Sequence, residues 1–209
     1  MKSSSHYAHA VFINCPFDSR YRRLFRAIVF SIIDCGFIPR CALEISDSSV
    51  ERLSKLFDLI ASCQLGVHDI SRTQLDSQHR LPRFNMALEL GIFLGAKRFG
   101  PSKQKLKNCV ILDSERYRFQ KFISDLGGKD IAAHNNDSSE VIRIVRNWLG
   151  SFSKSLIPGA AKMIQKYDDF QAQLPLQCRT LHLVPAELTF VDFILLVEAW
   201  LEKYDEENE

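Results

Sequence analysis

The chain has 209 residues, 46% of them hydrophobic and 25% charged, the make-up of a globular protein with a sizeable core rather than a disordered or fibrous one. Its formal net charge of +2 is too small to argue for nucleic acid as a partner. No apolar run reaches the roughly 18–20 residues that span a bilayer, and no apolar segment follows Met1-Lys2-Ser3-Ser4-Ser5, so a cytoplasmic protein without a membrane partner is expected.

Strand and helix signals alternate from residue 9 to about 150. Ala10-Val11-Phe12-Ile13-Asn14 is a short β-prone run that reads as a strand buried on both faces. Asp18 or Ser19 can cap a following helix from about Tyr21 to Cys35, with Leu24, Ile28 and Ile32 as its apolar stripe. Arg20, Arg22, Arg23 and Arg26 crowd that helix as a solvated face or a surface for phosphate or a partner. Phe37 to Leu43 reads as a second strand, and Pro39 places it at an edge. Ser48 and Glu51 have the spacing of a capping box before a helix that runs to about Cys63. Leu65 to Ile70 is a third strand.

Ser71 to Arg83 is a polar loop long enough to suggest function and movement. The helix from about Phe84 to Ala96 is apolar nearly all round and is expected to be buried on most of its surface. Asn108 to Leu112 is a fourth strand, Glu115 to Leu126 a helix, Lys129 to His134 a weak fifth strand, and Ser138 to Leu149 a helix. This order implies an α/β, flavodoxin-like parallel sheet of about five strands with helices on both faces, over residues 1–150. Residues 151–209 read as a linker and a small helical appendage, with helices from Ala160 to about Phe170 and from Phe190 to about Tyr204. The stripe Phe190, Phe193, Ile194, Val197, Trp200, Leu201, Tyr204 must be covered, by the α/β domain or by a second chain, and a homo-oligomer or partner contact there is expected.

Six cysteines, at positions 15, 35, 41, 63, 109 and 178, form no CxxC pair and no zinc-type spacing with histidine, so reduced thiols and no metal site are expected. Ligands of open α/β sheets bind beyond the carboxyl ends of the strands. That rule selects Asn14, Cys15, Pro16, Phe17 and Asp18 after the first strand, Glu44 and the Asp47-Ser48-Ser49 turn after the second, and His68, Asp69, Ser71 and Arg72 at the third. Arg83, Asn85 and Glu89 follow on the long loop and its helix. Glu89 is the foremost catalytic candidate. A carboxylate in so apolar a helix is costly to bury unless it is paired or faces a cavity, and burial would raise its pKa. Pairing with Arg83 or Arg98 is the structural alternative. No GxGxxG and no GxxxxGK[ST] is present, which argues against a standard dinucleotide fold or a P-loop NTPase.

Val11-Phe12-Ile13-Asn14 followed by Pro16-Phe17-Asp18 resembles the opening of TIR-like domains and of nucleoside deoxyribosyltransferases. Leu88-Glu89-Leu90-Gly91, with Gly95-Ala96-Lys97 after it, resembles the helix that carries their catalytic glutamate. The likeness covers roughly residues 9–150. It implies cleavage of an N-glycosidic bond, with Glu89 catalytic, NAD or a related nucleotide as substrate, no separate cofactor, and a place in bacterial antiphage defence or signalling. Arg83-Phe84-Asn85 stands where the transferases carry an Asp and a Gly-Thr pair, which points away from deoxyribosyl transfer. A catalytically silent nucleotide-sensing or scaffold module, and a nucleoside N-glycosidase or deoxyribosyltransferase, are the alternatives.

Overall fold

The computed structural model describes residues 2–44, 47–73 and 84–208. A short helix α1 (Lys2–His9), which the sequence pattern does not announce, leads into β1 (Ala10–Asn14). Next come α2 (Arg22–Asp34), the edge strand β2 (Ile38–Cys41), α3 (Arg52–Ser62) and β3 (Leu65–Asp69). Then follow α4 (Asn85–Phe99), a single turn α5 (Ser102–Lys105), β4 (Asn108–Asp113), β5 (Ile131–Ala133) and α6 (Ser138–Gly150). Two long helices, α7 (Ala160–Thr180) and α8 (Phe190–Asn208), complete the chain. The five strands pair only in parallel, in the order β2-β1-β3-β4-β5. The order reverses between β1 and β3, so the crevice of this α/β sheet opens where those two strands end. As the proline suggested, Pro39 sits on an edge strand, where its missing N–H disrupts no second ladder.

The pleat divides β1 between two cores. Val11 and Ile13 join α2, α6, α7 and α8, whereas Ala10 and Phe12 join α3 and α4. Among the described residues, no helix is long and apolar enough to cross a membrane.

Several local expectations are corrected. Residues 115–126 do not form a helix but two 3-10 turns, Arg118–Lys121 and Ser124–Leu126. Tyr117 adopts a left-handed φ of 61°, and Arg118 is tied to Asp113 and to the carbonyls of Ile70 and Ser71, which fixes the turn against helical continuation. Phe119 and Leu126 still reach the core, where they meet Ile70, Leu90 and Ile111. Asp18 caps no helix directly. It accepts from the N–H groups of Arg20 and Tyr21 in the turn before α2. The Ser48/Glu51 box does not form either: α3 begins at Arg52, and Glu51 receives the hydroxyl of Ser54 instead.

The C-terminal helices are a layer of the main core. Met163, Tyr167, Phe170, Leu174 and Cys178 recur at helical spacing, and that stripe carries α7 through Pro175 to Thr180, past the expected end at Phe170. The rings of Tyr167, Phe170 and Trp200 all surround Phe30 of α2. Lys166, almost fully buried, reaches Asp34 of α2 at 3.0 Å and Asp205 of α8 at 2.9 Å and so joins three helices. The apolar stripe of α8 is therefore covered within the chain, and it is not the open face that argued for a partner. Phe170 has no exposed surface, so Phe170→Ala is expected to cost about 3–5 kcal/mol. Urea unfolding should stay a single transition. Two separable transitions would show that α7 and α8 fold as their own unit.

Candidate active site at the carboxyl edge of the sheet

Asn14 ends β1 with 1% of its surface exposed. Its Nδ2 lies 3.0 Å from Nδ1 of His68, its neighbour across the ladder, and donates at 2.8 Å to the carbonyl of Met86 in the first turn of α4. Because Nδ2 carries only donors, Nδ1 of His68 accepts and the ring proton resides on Nε2. Burial pushes His68 down to about 3, so the ring is neutral and packs edge-on against Phe93. The oxygen Oδ1 of Asn14 is buried without a partner. Asn14 thus fastens α4 to the sheet, and His68 is a core residue.

Asp69, at the end of β3, is fully buried and held by the protein itself. The Tyr21 hydroxyl donates to its Oδ2 at 2.5 Å, and the N–H of Ser71 donates to its Oδ1 at 2.8 Å. Nε2 of His134 stands 3.0 Å from Oδ2. Nδ1 of His134 accepts from the N–H of Asn136, which leaves the ring proton on the side facing Asp69. One carboxylate therefore joins the start of α2, the end of β3 and the turn after β5. Asp113, one strand over, is paired with Arg118 at 2.5 Å.

Glu89 has a different environment. It borders a cavity of about 760 Å³ between α3 and α4, walled by Leu43, Leu53, Leu56 and Leu88 and carrying Asp47, Arg52 and Asn85. The side chain makes no hydrogen bond or ion pair with a described residue, so the alternative pairing with Arg98 is not found. Arg83 lies outside the described residues, as do residues 74–83 of the loop expected to move. Burial pushes Glu89 up to about 7, and Arg52 holds it slightly lower. Its charge is felt by the buried thiol of Cys15, so it lies near the end of β1.

The walls of this cavity correct the sequence expectation. Residues 14–18 and 69–72 do not line it; α3 and the β2–α3 connection do, and Asp47 and Ser48 of the turn selected after the second strand are among the lining residues. Pro16 is buried, and Ser71 is 4% exposed with its hydroxyl unpartnered. Phe17 packs on Phe25, and Phe17 and Asp18 border a separate cavity of about 180 Å³ that also holds Arg22, Arg26 and Thr189. The helix expected to be buried on most of its surface is fully buried only at Leu90 and Phe93, while Phe84, Leu88 and Phe99 are exposed. The sheet covers one side of α4, and the apolar side next to α3 is left as a cavity wall. Sequence reasoning missed Arg52, Leu53 and Leu56 as walls because their pattern is that of any amphipathic helix.

An ionisable group raised in the folded state binds more protons there than in the unfolded chain. Glu89 should therefore make stability fall as pH rises from about 4.5 to about 7. Glu89→Gln removes this penalty. With allowance for solvent screening at a partly exposed group, it should stabilise the protein by about 1–2 kcal/mol at pH 8 and by nothing below pH 4. Denaturant midpoints at the two pH values check this; an equal effect at both would refute it.

No family model, no curated protein and no solved structure matches this chain, so its chemistry rests on its own residues and geometry.

Proposed function

We propose that the chain cleaves the N-glycosidic bond of NAD or a related nucleotide, with Glu89 as the catalytic carboxylate and no separate cofactor. The observation that carries this reading is a half-buried carboxylate, without an ion pair among the described residues, beside a cavity of about 760 Å³, within the size range of small-ligand sites. Leu43, Leu53 and Leu88 suit the faces of a base, and Arg52 is placed to meet phosphate. Bond cleavage develops oxocarbenium character on the ribose, and an anion fixed beneath it stabilises that charge. A nicotinamide leaving group is cationic before cleavage and neutral after it, so no second acid is required. The approach of the cationic nicotinamide ring favours the ionised form of Glu89, which offsets the effect of burial. Bacterial antiphage defence or signalling is the setting the sequence resemblance suggests. A reducing, cytosolic compartment suits the free cysteines.

One observation favours binding without turnover as the second reading. Asn14 and Asp69, which the sequence offers as substrate contacts, are engaged by the scaffold, so fewer polar groups remain to orient a ribose. Chromatographic assay of nicotinamide release decides. If Glu89 acts ionised, kcat/KM should rise with pH through an apparent pKa of about 7. Glu89→Gln should lose roughly a hundredfold or more in kcat while the protein stays folded. Full activity of that variant would overturn the assignment. Nucleotide binding with no nicotinamide released would establish the second reading, and release of base from nucleosides with NAD untouched would move the substrate to nucleosides.

A further inference from the structure

We propose that a second cavity, at the far end of α4, binds a ligand that carries adjacent phosphates on an apolar or aromatic body. It has about 770 Å³ and is lined by Lys97, Arg98, Lys105 and Lys129 over a floor that includes Leu94 and Cys109. It shares no lining residue with the Glu89 cavity. Eight residues separate Glu89 from Lys97, about 12 Å along the helix.

Two features of the fold make this groove. Strand β5 has only three residues and pairs with Ile111, Leu112 and Asp113, so the first half of β4 has no neighbour on that side. The connection from β4 to β5 turns through 3-10 segments instead of a helix that would cover the strands. Asn108, Cys109 and Val110 are consequently only half-buried.

The charge in the groove lacks internal compensation. All four cations are exposed, and none makes an ion pair or side-chain hydrogen bond with a described residue. Asp130 is the one carboxylate on the wall. The sequence from 97 to 107 carries Lys97, Arg98, Lys103, Lys105 and Lys107 with no acidic residue. The carbonyl ends of α4 and α5 favour a positive charge at Lys97, Arg98 and Lys105, but Lys129 comes from another part of the chain and meets the same spot. The nearby thiol of Cys109 senses Lys97, Lys107 and Lys129 together. Like charges drawn together without counter-ions repel, and a polyanion relieves that repulsion. Ammonium groups and a guanidinium suit phosphate oxygens. The apolar floor takes a base or another flat body. Free nucleoside polyphosphates and single-stranded nucleic acid both present this chemistry.

Calorimetric titration of the full chain with tripolyphosphate, ATP, a twelve-residue oligothymidylate and citrate tests the proposal. Tripolyphosphate and ATP should bind, more weakly as salt is raised, and citrate should bind at least tenfold more weakly than tripolyphosphate. Lys97→Glu with Lys129→Glu should weaken tripolyphosphate and ATP at least tenfold with an unchanged melting temperature. Tighter binding of the oligothymidylate than of ATP assigns the groove to a nucleic-acid strand, and the reverse to a free nucleotide. Absence of phosphate binding, equal binding of citrate, or binding that the Lys97/Lys129 variant does not alter would overturn the proposal. Loss of ATP binding in Glu89→Gln would return the ligand to the first cavity. The outcome is independent of whether Glu89 cleaves NAD.

Discussion

Asn14 has two amide hydrogens, and the buried end of β1 uses both. One faces His68 across the sheet and the other holds the carbonyl of Met86 in α4. Asn14 and His68 are buried, so each unmade bond would cost about 1–3 kcal/mol. The contact therefore specifies where α4 lies over the ends of the parallel strands. Glu89 follows Met86 by less than one helical turn, so its place beside the cavity depends on this tie. Asp69 performs the same service on the other face, where it draws Tyr21 and His134 to the end of β3. Arg118 then clasps Asp113 and the carbonyls of Ile70 and Ser71. At the carboxyl edge of the sheet a polar network thus ties strand-end side chains to the start of α2, the first turn of α4 and the β4–β5 connection.

Against that frame the carboxylates separate by their partners. Burial raises the pKa of Asp34, Glu89 and Asp113. Asp34 has Lys166 beside it and Asp113 has Arg118, each of which opposes the effect of burial. Among the described residues Glu89 has Arg52 at longer range and no ion pair. A fold that pairs two acids with cations and leaves a third beside a cavity without such a pair among the described residues places unfavourable free energy at that point, and sites of this kind are where catalytic and binding groups cluster. The groove at the other end of α4 has the opposite sign, and its four cations make no ion pair with a described residue.

The strands were legible because each β run is short, apolar and β-branched or aromatic, and ends at a polar residue: Asn14, Asp69 and Asp113 close β1, β3 and β4. Glu89 was legible because a lone acid in Leu88-Glu89-Leu90-Gly91 is improbable for a core helix. What could not be read was long-range. Phe119, Phe122, Ile123 and Leu126 have helical spacing, but the Arg118 clasp and the backbone at Tyr117 override it. The stripe on α8 announces burial and cannot say that its cover is α2 and α7 of the same chain. Asn14 and Asp69 were selected by their place at strand ends. That place serves a ligand or a network equally well, and only the positions of Met86, Tyr21 and His134 distinguish the two.

The Glu89 carboxylate is half-buried, borders a cavity and makes no ion pair with a described residue. Carbon-detected NMR titration of the Glu89 side-chain carboxyl in the ligand-free protein tests this directly. The account predicts an apparent pKa of about 7. A value in the ordinary glutamate range, about 4.3, would show a solvated or ion-paired group and would contradict it.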